Sequence, residues 1–147
     1  MKVIDQTLLE KVIVERSRHS HKGDYGRLLL LGGTYPYGGA IIMSAIAAVK
    51  SGAGLVTVGT DKENIPALHS HLPEAMAFSL QDQQLLKEQL EKAEVILLGP
   101  GLREDAFGEE LAKLVFDSLR KEQILIVDGG ALGILAKGHL PFPSSQL

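Results

Sequence analysis

Leu28-Leu-Leu-Leu31 is a continuous apolar run with no polar alternation, which suits a strand covered on both faces, as in a parallel sheet. Three further short runs follow it, Leu55-Val-Thr-Val58, Val95-Ile-Leu-Leu98 and Ile124-Leu-Ile-Val127. Each run closes on turn-forming residues: Gly32-Gly33, Gly59-Thr60, Gly99-Pro100-Gly101 and Asp128-Gly129-Gly130. In a parallel sheet all four turns share the carboxyl edge, where open α/β folds bind ligands. Strand, helix and strand between residues 27 and 59 make a βαβ unit with a right-handed crossover. The expected fold class is α/β, a three-layer, mostly parallel, doubly wound sheet.

The first turn forms the site-bearing unit. After Gly32-Gly33 the chain reads Thr-Tyr-Pro-Tyr-Gly-Gly-Ala40 and enters a helix of small and apolar residues to Lys50. Gly38 and Gly39 remove two Cβ atoms where a helix begins, so unpaired backbone N–H groups can approach an anion. The same glycines also serve a tightly packed strand-to-helix turn, and spacing does not separate the two roles. Gly33-x4-Gly38 has the spacing that opens a Walker A loop, but Gly39-Ala40 replaces its Lys-Ser/Thr. A dinucleotide Gly-x-Gly-x-x-Gly is absent as well.

The rest of the chain supplies the covering layers. Asp5 is placed to cap a helix to about Arg16, with Ile4, Leu8 and Val12, joined by Leu9 and Ile13, as its buried stripe. A short helix is expected around Glu63–His69, an edge strand over Glu74–Ser79 and an amphipathic helix over Asp82–Ala93. Another helix is expected over Glu104–Arg120, then a short one after Asp128. Asp128, at an apolar strand's end, serves either the site or the N-cap of that last helix. His19, His21, His69 and His71 lack further donors at ligand spacing and are expected in surface loops, with no metal site.

A formal charge of −3 without a Lys/Arg-rich block argues against nucleic acid as a main partner. The absence of cysteine excludes disulfides and thiolate metal sites. No stretch reaches membrane-spanning length and Met1–Gln6 lacks a signal-peptide apolar core, so no membrane partner and a cytoplasmic setting are expected. Residues 1–147 read as one α/β domain, with 1–20 as an N-terminal helix and connector. Gly138–Leu147 reads as a loop leading toward another strand, so the domain is expected to be incomplete at its C-terminal end.

Six strings in order carry a family resemblance. They are His21-Lys-Gly-Asp-Tyr-Gly-Arg27 with Leu-Leu-Leu-Leu-Gly-Gly, Gly38-Gly-Ala, Lys50-Ser-Gly-Ala-Gly-Leu-Val-Thr-Val, Leu72-Pro-Glu, Leu98-Gly-Pro-Gly-Leu and Val127-Asp-Gly-Gly-Ala-Leu. Over about residues 15–147 the chain resembles the amino-terminal half of the ADP/ATP-dependent (S)-NAD(P)H-hydrate dehydratases, ribokinase-like proteins often labelled carbohydrate kinases. The resemblance implies metabolite repair, in which ADP or ATP with Mg²⁺ drives dehydration of (S)-NADHX or (S)-NADPHX to NADH or NADPH. It implies dinucleotide contacts at Ala40 and Gly101, with Gly39 beside them and Asp128 close to the cleft. It also implies a homo-oligomer, commonly a tetramer. Gly130 stands where some members carry a second Asp.

The family's Thr-Pro-His loop and its Gly-x-Gly-Asp motif, which supplies the anion hole and catalytic aspartate, are expected beyond Leu147. No Gly-x-Gly-Asp occurs here, so no catalytic residue is assigned and this chain alone is expected to be inactive. Two other readings stay open: another ribokinase-like small-molecule kinase, or a non-catalytic nucleotide-binding or assembly fragment.

Overall fold

The Leu28–Leu31 run takes the middle of a five-stranded sheet. In the computed structural model, which describes residues 5–12 and 15–138, Arg27–Leu31 (β1) pairs in parallel with Leu55–Thr60 (β2) and with Val95–Leu98 (β4). Met76–Ser79 (β3) and Ile124–Val127 (β5) flank these, giving the order β3-β2-β1-β4-β5 with every pairing parallel. Leu31 lies opposite Gly59 and Leu98, and Leu98 opposite Val127, so the strands finish level at one edge. Strand order reverses between β1 and β4, the switch point at which open α/β sheets form a crevice.

Alternate residues of β1 feed two cores. Leu30 faces Gly38–Lys50 (α2) and Asn64–His71 (α3), packing with Ile41, Ala45, Val56, Val58 and Leu68. Leu29 and Leu31 face Gln83–Lys92 (α4), Ala106–Ser118 (α5) and Gly130–Ala136 (α6), with Leu86, Leu90, Leu111, Val115 and Ile134 among their neighbours. The result is the three-layer, doubly wound arrangement that the apolar runs imply. Asp82 caps α4 by accepting from the Leu85 amide at 3.0 Å, and Asp105 caps α5 by accepting from Gly108 at 3.1 Å.

Several expectations change. Gly59 and Thr60 are not a turn: both continue β2, and a Cβ at Gly59 would press on Leu31 and Phe78. Asp5 does cap the first helix, accepting from the Leu8 amide at 3.0 Å, but that helix (Gln6–Val12, α1) is shorter than expected. Glu15 and Arg16 are not helical, and Leu8 is 44% exposed rather than buried. The side chains of Ile4, Leu9, Val12 and Ile13, the rest of that stripe, lie outside the described residues. Arg16 instead sits over the Tyr25 ring, 4.1 Å from its centre, and donates to the Gly52 carbonyl.

His69 and His71 belong to the last turn of α3, exposed, and not to a loop. The expected loop over residues 139–147 lies outside the described residues. β5 is apolar throughout yet leaves Ile124 and Ile126 at 59% and 49% exposure. Leu125 and Val127 pack on the α4–α6 side, whereas neither α2 nor α3 extends over the other face of this outer strand.

Candidate functional site

Three of the glycine turns are stitched together at the switch point. The Gly33 amide donates to the Pro100 carbonyl at 2.8 Å, and the Thr34 amide to the Gly101 carbonyl at 2.9 Å. The Thr34 hydroxyl adds a donation to Gly101 at 3.1 Å and accepts from the Arg103 amide at 2.8 Å. Thr34 is only 2% exposed, so the loop after β1 is locked to the loop after β4 by a buried side chain. The third turn docks on the second, with the Gly130 amide donating to the Gly99 carbonyl at 3.2 Å. Gly99 lies so near the Asp128 carbonyl, and Gly130 so near the Leu102 carbonyl, that a Cβ at either would collide.

The β1 loop is held from its other side as well. The Gly33 carbonyl accepts from the Thr60 hydroxyl at 3.1 Å and from the Asn64 side-chain amide at 2.5 Å. The Asp61 carboxylate accepts from the Tyr35 amide at 2.6 Å. These anchors sit at the end of β2 and the start of α3.

An open cleft of about 670 Å³ lies above the stitched turns, lined by Tyr37, Ala40, Gly101, Leu102, Arg103, Glu104, Asp105 and Gly130. Two predicted residues, Ala40 from the first turn of α2 and Gly101 from the β4 loop, therefore face one space. Gly101 takes φ +67°, and a Cβ there would strike the Tyr37 backbone, so this position needs glycine both for its conformation and for the close approach. Gly39 and Asp128 are not among the residues that line the cleft. Around Gly39 nothing lies within 4 Å of a would-be Cβ, whereas Gly38 is pressed against the Asn64 side chain. Packing thus accounts for Gly38 and not for Gly39.

Asp128 is exposed, and its side chain does not cap α6; the N-cap is Gly129 at φ +50° with no side-chain hydrogen bond. The cap role is excluded by that geometry: the helix starts two residues after Asp128, and only the Asp128 carbonyl takes part, accepting from the Ala131 amide at 3.2 Å.

The charges on the cleft are already partnered. Arg103 contacts the Asp105 carboxylate at 2.7 Å, and the Lys137 ammonium lies 3.8 Å from the Glu104 carboxylate and donates to the Glu104 carbonyl at 2.8 Å. Among the described residues no group of three His, Asp or Glu side chains could hold a metal ion. The described side chains therefore form no cage of their own for Mg²⁺, an ion ordinarily held through one or two carboxylates together with nucleotide phosphates. Sequence reasoning missed Thr34, Tyr37, Asn64 and Arg103. Thr34 directly after a double glycine is a local signal for a turn-bonding hydroxyl, but its partners lie 67 and 69 residues away.

A sequence model described as NAD(P)H-hydrate dehydratase matches residues 28–146. The chain is 82% identical, over all 147 of its residues, to the ADP-dependent (S)-NAD(P)H-hydrate dehydratase of Streptococcus pneumoniae, of which it covers 51%. A ribokinase-like superfamily protein from Enterococcus faecalis superposes with a TM-score of 0.90 at 43% identity, over 95% of this chain and 49% of that one. The ADP/ATP-dependent NAD(P)H-hydrate dehydratase of Bacillus subtilis, co-crystallised with ATP and Mg²⁺, superposes with a TM-score of 0.68 at 28% identity, over 87% and 46% of the two chains. The chain spans about half the length of the curated relatives it matches. With its ribokinase-like sheet and its match from Leu28 onward, it belongs to the NAD(P)H-hydrate dehydratase family.

Proposed function

We propose that this chain forms part of the substrate wall of a nucleotide-dependent repair enzyme that returns (S)-NADHX or (S)-NADPHX to NADH or NADPH. The observation that carries the reading is that Ala40 and Gly101, the two positions implied as dinucleotide contacts, line one cleft at the switch point. The Ala40 methyl and the bare Gly101 backbone leave room for a ligand to reach main-chain groups. Gly39, next to Ala40 in the chain, adds an open backbone surface, and Asp128 is the further carboxylate we assign to a ligand hydroxyl. The expected co-substrate is ADP or ATP with Mg²⁺, the metal being carried by the nucleotide or by groups other than those described here. We assign no catalytic residue to these 147 residues, because no Gly-x-Gly-Asp stands in the sequence. We further propose a cytoplasmic homo-oligomer built around one α/β domain.

Ligand-dependent thermal stabilisation tests this. A ligand at 100 times its Kd stabilises by about 2.7 kcal/mol, which moves the midpoint by several degrees in a domain of this size. (S)-NADPHX is expected to raise the midpoint, with no turnover by this chain alone when ADP and Mg²⁺ are added. A midpoint that ignores the hydrate but rises with a sugar or a hydroxymethylpyrimidine would make the site that of another small-molecule kinase.

A further inference from the structure

Tyr37 lines the cleft and is 57% exposed as a residue, and packing does not explain that placement. Its backbone is nevertheless fixed. The amide donates to the Thr34 carbonyl at 2.7 Å, and the carbonyl lies against Gly101, leaving no space for a Cβ there. The ring is thus presented on a preorganised backbone, which lowers the ordering cost of a contact. Arg103 lines the same cleft and depends on the same residue, its amide donating to the Thr34 hydroxyl. Its guanidinium is oriented by Asp105, and a guanidinium has five N–H donors, so one carboxylate contact leaves others for a ligand oxyanion.

We propose that Tyr37 is a ligand-binding residue of this cleft, stacking on the planar ring of a nucleotide ligand while Arg103 meets a phosphate of the same molecule. The assignment rests on the dinucleotide reading above, which supplies both a ring and phosphates. Tyrosine suits this task because two side-chain torsions carry a large flat surface, and ring-on-base stacking tolerates different bases. Glu104, also in the lining, is engaged with Lys137, and Asp105 with Arg103, so neither carboxylate stands as an uncompensated charge against a phosphate.

The test is titration calorimetry of the chain with (S)-NADPHX, and separately with ADP, for the wild type, Tyr37→Phe, Tyr37→Ala and Arg103→Gln. Tyr37→Phe is expected to bind within about twofold of wild type and Tyr37→Ala about tenfold more weakly. Arg103→Gln is expected to weaken binding and also to flatten its salt dependence, which a merely structural change would not do. Unchanged binding of the hydrate by Tyr37→Ala would overturn the Tyr37 assignment and leave the dehydratase reading intact. Binding of ADP but not the hydrate, still weakened tenfold in Tyr37→Ala, would keep the stacking role and remove the reading of this cleft as the hydrate's substrate wall. No binding of either ligand by wild type would remove both.

Discussion

At the scale of the residue, Thr34 and Gly39 separate what holds the cleft from what a ligand would use. Replacing the Thr34 hydroxyl by a methyl in Thr34→Val takes the acceptor from the Arg103 amide and removes one donor to Gly101 at a buried side chain. The expected cost is about 1–3 kcal/mol by denaturant unfolding, with Thr34→Ser recovering most of it. Gly39→Ala should behave in the opposite way. Its Cβ meets open space inside a helix, so stability is expected to hold or rise by about 0.4–1 kcal/mol in the same assay. If the ligand approaches the backbone there, (S)-NADPHX affinity falls although the fold does not weaken, and calorimetry reads that difference directly. Gly101→Ala would lose on both counts, since its φ of +67° alone costs about 1–2 kcal/mol and the methyl strikes the Tyr37 backbone.

At the scale of the element, the strands and most helices were legible because their periodicity is local. The Leu, Ile and Val runs mark β1, β2, β4 and β5 within a residue or two, and Leu86, Leu90, Leu111 and Val115 mark the inner faces of α4 and α5. Position within the sheet was legible for β3, expected at an edge and found there, but not for β5. Ile124 and Ile126 belong to as apolar a run as any, yet they stand half exposed because an outer strand has a face that neither α2 nor α3 reaches. Ala40 and Gly101 were marked by family strings, whereas Thr34, bonded to a residue 67 positions away, and Tyr37, packed against the same Gly101, gain their meaning from the β4 loop. Gln123 shows the same limit. It is 4% exposed, donates to the Leu90 and Ala93 carbonyls at 2.7 Å each and accepts from the Arg120 amide at 2.9 Å, tying the end of α4 to the start of β5. Gln123→Leu is expected to cost about 1–3 kcal/mol in denaturant unfolding, because it takes the Gln123 donors from the Leu90 and Ala93 carbonyls of two buried residues.

At the scale of the whole molecule, two unequal cores share one sheet, and substitutions should report which side they touch. Leu98→Ala, at a fully buried position beneath the cleft, is expected to cost about 2–5 kcal/mol, whereas Ile126→Ala on the open face of β5 should cost far less. Equal losses in urea unfolding would show that the β5 face is covered in solution. The carboxyl edge links the two sides: the β1 loop is bonded to β2 and α3 on one flank and to the β4 loop on the other. The amides of Gly33 and Thr34, both on buried residues, are bonded across to the Pro100 and Gly101 carbonyls. They should exchange with deuterium at the rate of global unfolding, slower than turn amides ordinarily do, so the cleft floor would rank with the central strands in protection while its rim exchanges freely.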